Sequence, residues 1–218
     1  MLEKNISVVL EEEVINLGAK QSVLNLVSET ICLPGASLNI YKTQNDTTNS
    51  CLIRTSFFVQ KKGSAVKCHF FSLNGKLIRN NILANLTESG ADCSILGTSF
   101  LNNSSHLDNF VKISHLEKNC TSNQLFKSVY GGLSSGVFCG KIFVAKKAQK
   151  TQAFQQNKNL VVSKNAVVNA KPQLEIFADD VVCSHGCTIG DIDVDALFYL
   201  RSRGLPKQEA IKLLIVAF

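Results

Sequence analysis

The sequence predicts an all-β protein closed by a short α-helical region at its C-terminus. Short apolar segments with an alternating, period-2 pattern recur from Ser7 to about Val182. Clusters of Gly, Asn and Ser separate them, as turns separate strands. From Asp193 onward the pattern changes to helical spacing.

The strand segments include SVVL (7–10), SVLNLV (22–27), SLNIY (37–41), CLIRTSFFV (51–59), AVKCHFF (65–71), FVKI (110–113), VFCGKIFV (137–144) and NLVV (159–162). Val, Ile and Phe are enriched there, and alternation implies one buried face per strand. The turns include Leu33-Pro34-Gly35-Ala36, Leu73-Asn74-Gly75-Lys76, Glu88-Ser89-Gly90-Ala91 and Tyr130-Gly131-Gly132-Leu133. Gly and Asn at corners supply positive φ at low cost. A small or polar residue followed by Ala opens several segments, at Gly18-Ala19, Gly35-Ala36, Gly90-Ala91, Lys147-Ala148 and Asn165-Ala166. The spacing is irregular, so no strict repeat is read. Many short strands at near-regular intervals fit a sandwich, a barrel or a β-solenoid, and the pattern alone does not choose.

At the C-terminus, Asp193 or Asp195 can cap ALFYLRSR, and Gly204 ends it. Pro206 then suits the first position of a second helix, KQEAIKLLIVAF. Ala210, Ile211, Leu213, Leu214 and Val216 form its apolar stripe, and a helix so short and uncapped is expected either to lack its usual tail or to dock on a partner. The division is therefore a β core over 1–190 and a helical region over 191–218.

Composition excludes several classes. With 45% apolar and 18% charged residues the chain is globular rather than disordered. No apolar run is long enough to span a bilayer as a helix, and the first residues resemble neither a secretory signal nor a transit peptide. The net charge of +6 comes from scattered basic residues, with pairs at Lys61-Lys62 and Lys146-Lys147 but no aromatic-lined basic patch. A nucleic-acid footprint would be clustered. The 8 cysteines, widely spaced and without an export signal, point to reduced thiols in a cytosol-like compartment. Phosphate-loop, nucleophile-elbow and HExxH motifs are absent, so catalysis by this chain has little support.

The densest signal is Lys171 to Gly204, KPQLEIFADDVVCSHGCTIGDIDVDALFYLRSRG. It holds a strand (Gln173 to Phe177), an acidic turn (Asp179-Asp180) and a Cys-Ser-His-Gly-Cys run. Cys183 and His185 are two residues apart, so on a strand both point to one face. Thiolate plus imidazole suits zinc, iron or an iron–sulfur cluster. Two ligands do not make a site; Cys187 is a possible third, but Gly186 is expected to break the geometry. The bland alternative is a buried Cys beside a His bonded to a backbone carbonyl. Elsewhere, Cys51, Cys68, Cys93 and Cys139 read as core, His69 as surface, Cys32 as loop or core, and His106, His115 and Cys120 as loop residues.

The same run closely resembles the C-terminal core of the SufB/SufD family, the scaffold proteins of iron–sulfur cluster assembly. The stretches CTSNQLFKSV (120–129), SGVFCGKIFVAKKAQKTQAFQQNKNLVVS (135–163) and AVVNAKPQLEIFADD (166–180) extend the resemblance. The strong part covers about Cys120 to Phe218. Cys-Ser-His-Gly at 183–186 is similar to the D-type branch; the B-type branch carries acids beside the corresponding His and a cysteine where this chain has Ile176. Family members are longer and begin with a helical domain, so this chain is expected to be a shortened or partial version.

The resemblance implies a right-handed parallel β-helix followed by a helical region. It implies a non-catalytic scaffold subunit, in a bacterial cytoplasm or an organelle stroma. Its partners would be a SufB-like scaffold and a SufC-like ABC ATPase engaged by the helices. It implies a transient iron–sulfur cluster at the subunit interface, with His185 and Cys183 facing the partner's ligands. Gln173, Leu174, Glu175 and Phe177 would lie on the pairing edge. A homodimeric metal-binding scaffold of the same fold is the second reading. A structural or carbohydrate-active β-solenoid without a cluster is the third, and it lacks the clustered carboxylates that sugar chemistry needs.

Overall fold

The computed structural model describes residues 1–15, 21–45 and 50–218. Thirteen strands come first: β1 (Ser7–Val14), β2 (Ser22–Cys32), β3 (Ser37–Asn45), β4 (Ser50–Gln60), β5 (Ala65–Asn74), β6 (Leu77–Leu86), β7 (Asp92–Leu101), β8 (His106–His115), β9 (Thr121–Tyr130), β10 (Ser135–Val144), β11 (Thr151–Val161), β12 (Val167–Ile176) and β13 (Val181–Asp191). Two helices follow, α1 (Val194–Ser202) and α2 (Lys207–Ala217). Odd strands form one sheet in the order β1-β3-β5-β7-β9-β11-β13, and even strands form another, β12-β10-β8-β6-β4-β2. Every pairing is parallel. The chain is a parallel β-solenoid in which two strands make one coil.

Ser7 pairs with Ser37, Ser37 with Ala65, Ala65 with Asp92, and Asp92 with Thr121. Each coil therefore takes about 30 residues, within the range of solenoid repeats. This repeat escapes the sequence because its corner position tolerates several residues. Asn5, Gly35, Gly63, Gly90, Asn119 and Lys150 all have φ between 58° and 76°. They stack along one corner, and each N–H donates to the next coil: Gly35 to Lys62 O (2.9 Å), Gly63 to Ser89 O (3.1 Å), Asn119 to Gln149 O (2.9 Å). Gly and Asn accept the left-handed region most readily. From Gly35 onward the following residue is small and turns inward: Ala36, Ser64, Ala91, Cys120 and Thr151 are all fully buried. Asn165-Ala166 belongs to the opposite corner, where Ala166 N donates to Ser163 O. Two interleaved corner series thus looked like one irregular series. Gly18-Ala19 lies outside the described residues.

The interior follows from alternation. Leu38 and Ile40, Val66, Cys68 and Phe70, Cys93 and Ile95, and Ile82 and Ala84 point inward and form the main core. Cys51 and Cys139 differ from expectation: they are half-buried and face outward, because the period-2 register places Leu52 and Phe138 inside. His106 and His115 are not loop residues. His106 opens β8 with Nδ1 2.7 Å from Ser135 Oγ, and His115 ends β8 fully buried with Nε2 2.8 Å from Ser122 Oγ. Cys120 is also buried, its thiol donating to Glu88 O at 3.3 Å. At the first coils a buried Lys42 and Arg54 meet Glu12 at 3.1 and 3.0 Å. The Arg54 contact is an ion pair without hydrogen-bond alignment, and burial holds the guanidinium below its usual pKa against the pull of Glu12.

In α1, Asp193 is the N-cap, accepting from Asp195 N (2.9 Å) and Ala196 N (3.1 Å). Gly204, with φ 90°, donates to Arg201 O and closes the helix. Pro206 sits one position earlier than expected, as an extended N-cap (ψ 146°), so α2 starts at Lys207. The inward stripe of α2 is also rotated: Ala210 is buried, while Leu213 and Val216 are exposed. Its C-terminus rests on the outer face of the odd sheet, where Lys127 Nζ donates to Phe218 O at 2.5 Å and lies over the Phe218 ring.

Two outcomes test this packing. Gly97 pairs with Phe126, and a Cβ on Gly97 would lie 2.2 Å from Phe126 Cδ1. Gly97→Ala is expected to lower stability by about 1–3 kcal/mol, read as a lower urea midpoint at unchanged m-value. The second concerns His115, whose pKa burial depresses from 6.5 to about 4. The unfolded chain takes up this proton while the fold does not, so the contribution is complete above the unfolded value. It is lost as pH falls from about 6.5 to about 4, by up to about 3 kcal/mol. Urea melts across that window, compared with His115→Gln, should show a shallower pH slope in the variant.

Candidate functional site

The solenoid continues into helices without being capped. β12 pairs only with β10, and β13 only with β11, so each sheet ends on an edge strand among the described residues. Residues that would be core one coil earlier are here partly open. Val168, Ala170 and Leu174 are only half-buried, and Ile189 is 51% exposed. Phe177, just after β12, is 60% exposed, and Val182, on the outward face of β13, is 60% exposed. An unpaired strand edge beside apolar surface is a docking surface or an aggregation hazard.

The Cys-Ser-His-Gly-Cys run lies wholly within β13. Its register with β11 is unbroken from Thr151↔Val181 to Val161↔Asp191. Gly186 therefore does not break the strand, contrary to expectation. It needs no special backbone angle there, and a Cβ on it would meet nothing within 4 Å. Cys183, His185 and Cys187 consequently stand in one row, continuing the inward rows of the coil below: Ala153↔Cys183, Gln155↔His185, Asn157↔Cys187. Cys183 packs against the small buried cluster of Ala148, Ala153 and Ile142. Cys187 is exposed, with its thiol 3.7 Å from Asn157 Oδ1.

Side chains two apart on one strand face can lean together onto one group, but two or three such donors leave coordination positions open. Among the described residues, no three His, Cys, Asp or Glu side chains come together as a single-ion site. The row suits a polynuclear group, or one completed by ligands from elsewhere. Soft thiolates and imidazole match iron–sulfur chemistry in type. Burial raises the Cys183 thiol pKa, partly opposed by a hydrogen bond with the Ala153 backbone, and burial raises that of Cys187. Both thiols are therefore protonated near neutrality, and loading a metal group releases their protons.

The expected pairing-edge residues lie on or just beyond β12. Gln173 and Glu175 face outward, with Glu175 Oε1 2.6 Å from Lys141 Nζ. Leu174 turns inward onto the cluster of Ala148 and Ile142. Phe177 follows the strand and packs on Phe143, ring centroids 5.7 Å apart. Sequence reading missed the amide residues beneath the site. Gln155, Asn157 and Asn159 alternate along β11 and are all buried. Asn159 Nδ2 donates to Asn157 Oδ1 (2.6 Å) and to Thr188 O (3.2 Å), tying β13 to the coil below. Their Gln-x-Asn-x-Asn spacing was the available signal, but polar alternation in a strand ordinarily marks the solvent face.

The whole chain, residues 1–218, matches the family described as SUF system FeS cluster assembly, SufBD core domain. The chain belongs to the SufBD family. It is 37% identical over 194 residues to an iron–sulfur cluster assembly SufBD family protein of Synechocystis, covering 89% of this chain and 43% of that protein. It is 40% identical over 150 residues to the iron–sulfur cluster assembly protein SufD of Escherichia coli K12, covering 69% of this chain and 36% of SufD. It is 34% identical over 197 residues to the chloroplastic protein ABCI7 of Arabidopsis thaliana, covering 89% and 41%. The chain is thus homologous to SufD and spans about two fifths of the length of these curated relatives. Among the described residues of this SufBD chain, no helix is long and apolar enough to cross a membrane.

Thiol accessibility tests the placement. Iodoacetamide under native conditions should label exposed Cys187 first. It should leave Cys93 and Cys68, the latter with its thiol pushed up to about 12, unmodified until urea unfolds the core. Peptide mass spectrometry reads the order; early labelling of Cys68 would contradict the inward register of β5.

Proposed function

We propose that this chain is a D-type scaffold subunit of iron–sulfur cluster assembly, working without catalysis of its own in a cytoplasmic or stromal compartment. It holds a nascent cluster as cargo at the open end of its solenoid, shared with a SufB-like scaffold. The observation that carries this reading is the row Cys183, His185 and Cys187 on an uncapped last strand with a free edge. Family membership supplies the chemistry, and the mixed thiol and imidazole donors suit an iron–sulfur cluster. His185 and Cys183 are the proposed ligands on this side, and the partner supplies the rest. Imidazole in place of a thiolate leaves the cluster less negative, and a ligand set split between two chains can be opened for release.

Pairing through β12 and β13 would extend both sheets across the junction, satisfying their free backbone groups. Gln173, Leu174, Glu175 and Phe177 would lie at that junction, and exposed Val182 and Ile189 would be covered by it. The helices fit a second partner, a SufC-like ATPase. Val194 (73%), Phe198 (73%), Tyr199 (58%) and Val216 (84%) present exposed apolar surface.

Co-expression with the SufB-like scaffold and the ATPase of the same source, followed by anaerobic purification through this chain, tests the reading. A stoichiometric complex is expected. His185→Ala should lower iron and sulfide per complex by roughly 10-fold or more while the complex persists. Unchanged iron and sulfide in His185→Ala would make the chain a structural subunit only. Recovery of this chain as a dimer with itself would instead favour the homodimeric scaffold.

A further inference from the structure

Beneath the row of β13 two buried amides stacked in register, Gln155 and below it Gln124, have no hydrogen-bond partner among the described residues, and of the two only Gln155 adjoins β13. Gln155 is 1% exposed, and neither its amide oxygen nor its amide nitrogen has a hydrogen-bond partner. A buried primary amide left unpaired is destabilising, so native proteins seldom keep one without a use. Its neighbours Asn157 and Asn159 bond to each other and to β13, with Asn159 Oδ1 alone left unpartnered. Room has also been cleared for the amide. Gly140 on the facing strand β10 would, with a Cβ, lie 1.9 Å from Gln155 Nε2. Gln155 is the direct register partner of His185, on the same inward face. Adjacent strands lie about 4.8 Å apart, so the amide can reach the imidazole by a rotamer change.

We propose that Gln155 is a positioning residue for His185: when one ring nitrogen of His185 binds iron, the other donates its N–H to Gln155 Oε1. This rests on the reading of His185 as a cluster ligand. Metal-bound histidines nearly always donate their second N–H to a carbonyl or carboxylate, which fixes the tautomer and ring orientation and makes the ligating nitrogen more electron-rich. The pairing would satisfy the orphan oxygen of Gln155 only in the loaded complex. The amide therefore favours the cluster-bound orientation of an imidazole that is otherwise solvent-exposed. Gly140 serves as the vacated space in which the amide waits.

The test uses the complex of this chain with its scaffold and ATPase partners, purified anaerobically with its cluster. Three variants are compared: Gln155→Leu, Gln155→Met and Gln155→Glu. Readouts are the cluster reduction potential and the rate of iron loss to an external chelator, with complex assembly and thermal midpoint followed in parallel. Gln155→Leu and Gln155→Met remove the acceptor and should raise the potential, with iron lost roughly 10-fold faster. Gln155→Glu supplies a stronger acceptor and should lower the potential. Opposite shifts of this kind do not arise from loosened packing. Equal potentials and equal iron loss in the assembled variants, with His185→Ala still losing the cluster, overturn the role of Gln155 alone. If His185→Ala also keeps the cluster, the reading of the site itself fails. Should Gln155→Leu fail to assemble, the near-isosteric Gln155→Met and the Glu variant decide the matter, and shifts of the same sign in both would overturn the proposal.

Discussion

Each coil of this protein is held by the coil beside it, through parallel ladders that run along both sheets in continuous register. The ladder satisfies the backbone groups of the inner coils, and it forces inward rows to stack on inward rows. One shift of a single residue would turn every core side chain of a strand to solvent. The stacked left-handed corners at Gly35, Gly63, Gly90 and Asn119 help fix that register, because their N–H groups bond between coils. The conformational freedom of Gly and Asn is therefore used where the chain must turn and still donate to its neighbour.

The same constraint explains why the open thiol and imidazole groups sit at an end. Inside the stack each inward row is covered on both sides, and the side chains there are mostly apolar, small or paired, as with Asn80 donating to Asn109 at 2.9 Å. At β12 and β13 the stack stops while the chain goes on. The last inward row then faces open space with its thiols, its imidazole and its strand edge available. A site of this kind is half a site. Its few donor side chains do not make a complete ligand set, and its edge lacks a neighbour among the described residues. Both deficits are met by a second solenoid end, the arrangement proposed for a cluster scaffold.

Burial also sorts the titratable groups. His115 and His185 are both strand residues, yet the first is enclosed and kept neutral while the second stands in the open row. Cys68 and Cys93 are raised in pKa by the core and stay chemically quiet, whereas Cys183 and Cys187 lie where a metal group can reach them. Amides beneath the row differ in the same way. Asn157 and Asn159 tie the last strand down, and Gln155 keeps its hydrogen-bonding groups free below His185.

Local pattern in the sequence was enough to indicate many of the strands, the helical C-terminus, the Asp193 cap, the Gly204 stop and the shared face of Cys183 and His185, but not β6, β7 or β9. These depend on period, capping and backbone propensity, which act over a few residues. Motif resemblance narrowed the β class to a solenoid and pointed to the family. Tertiary structure alone decided the repeat, because its corner accepts Gly, Asn or Lys and two corner series interleave. It decided that Cys51 and Cys139 face outward and that His115 is enclosed, since those outcomes depend on register against strands about 30 residues away. It placed Cys187 in the open row, because pairing with β11 keeps the strand straight through Gly186. It brought Gln155 under His185 for the same reason: parallel stacking joins residues that no local pattern relates.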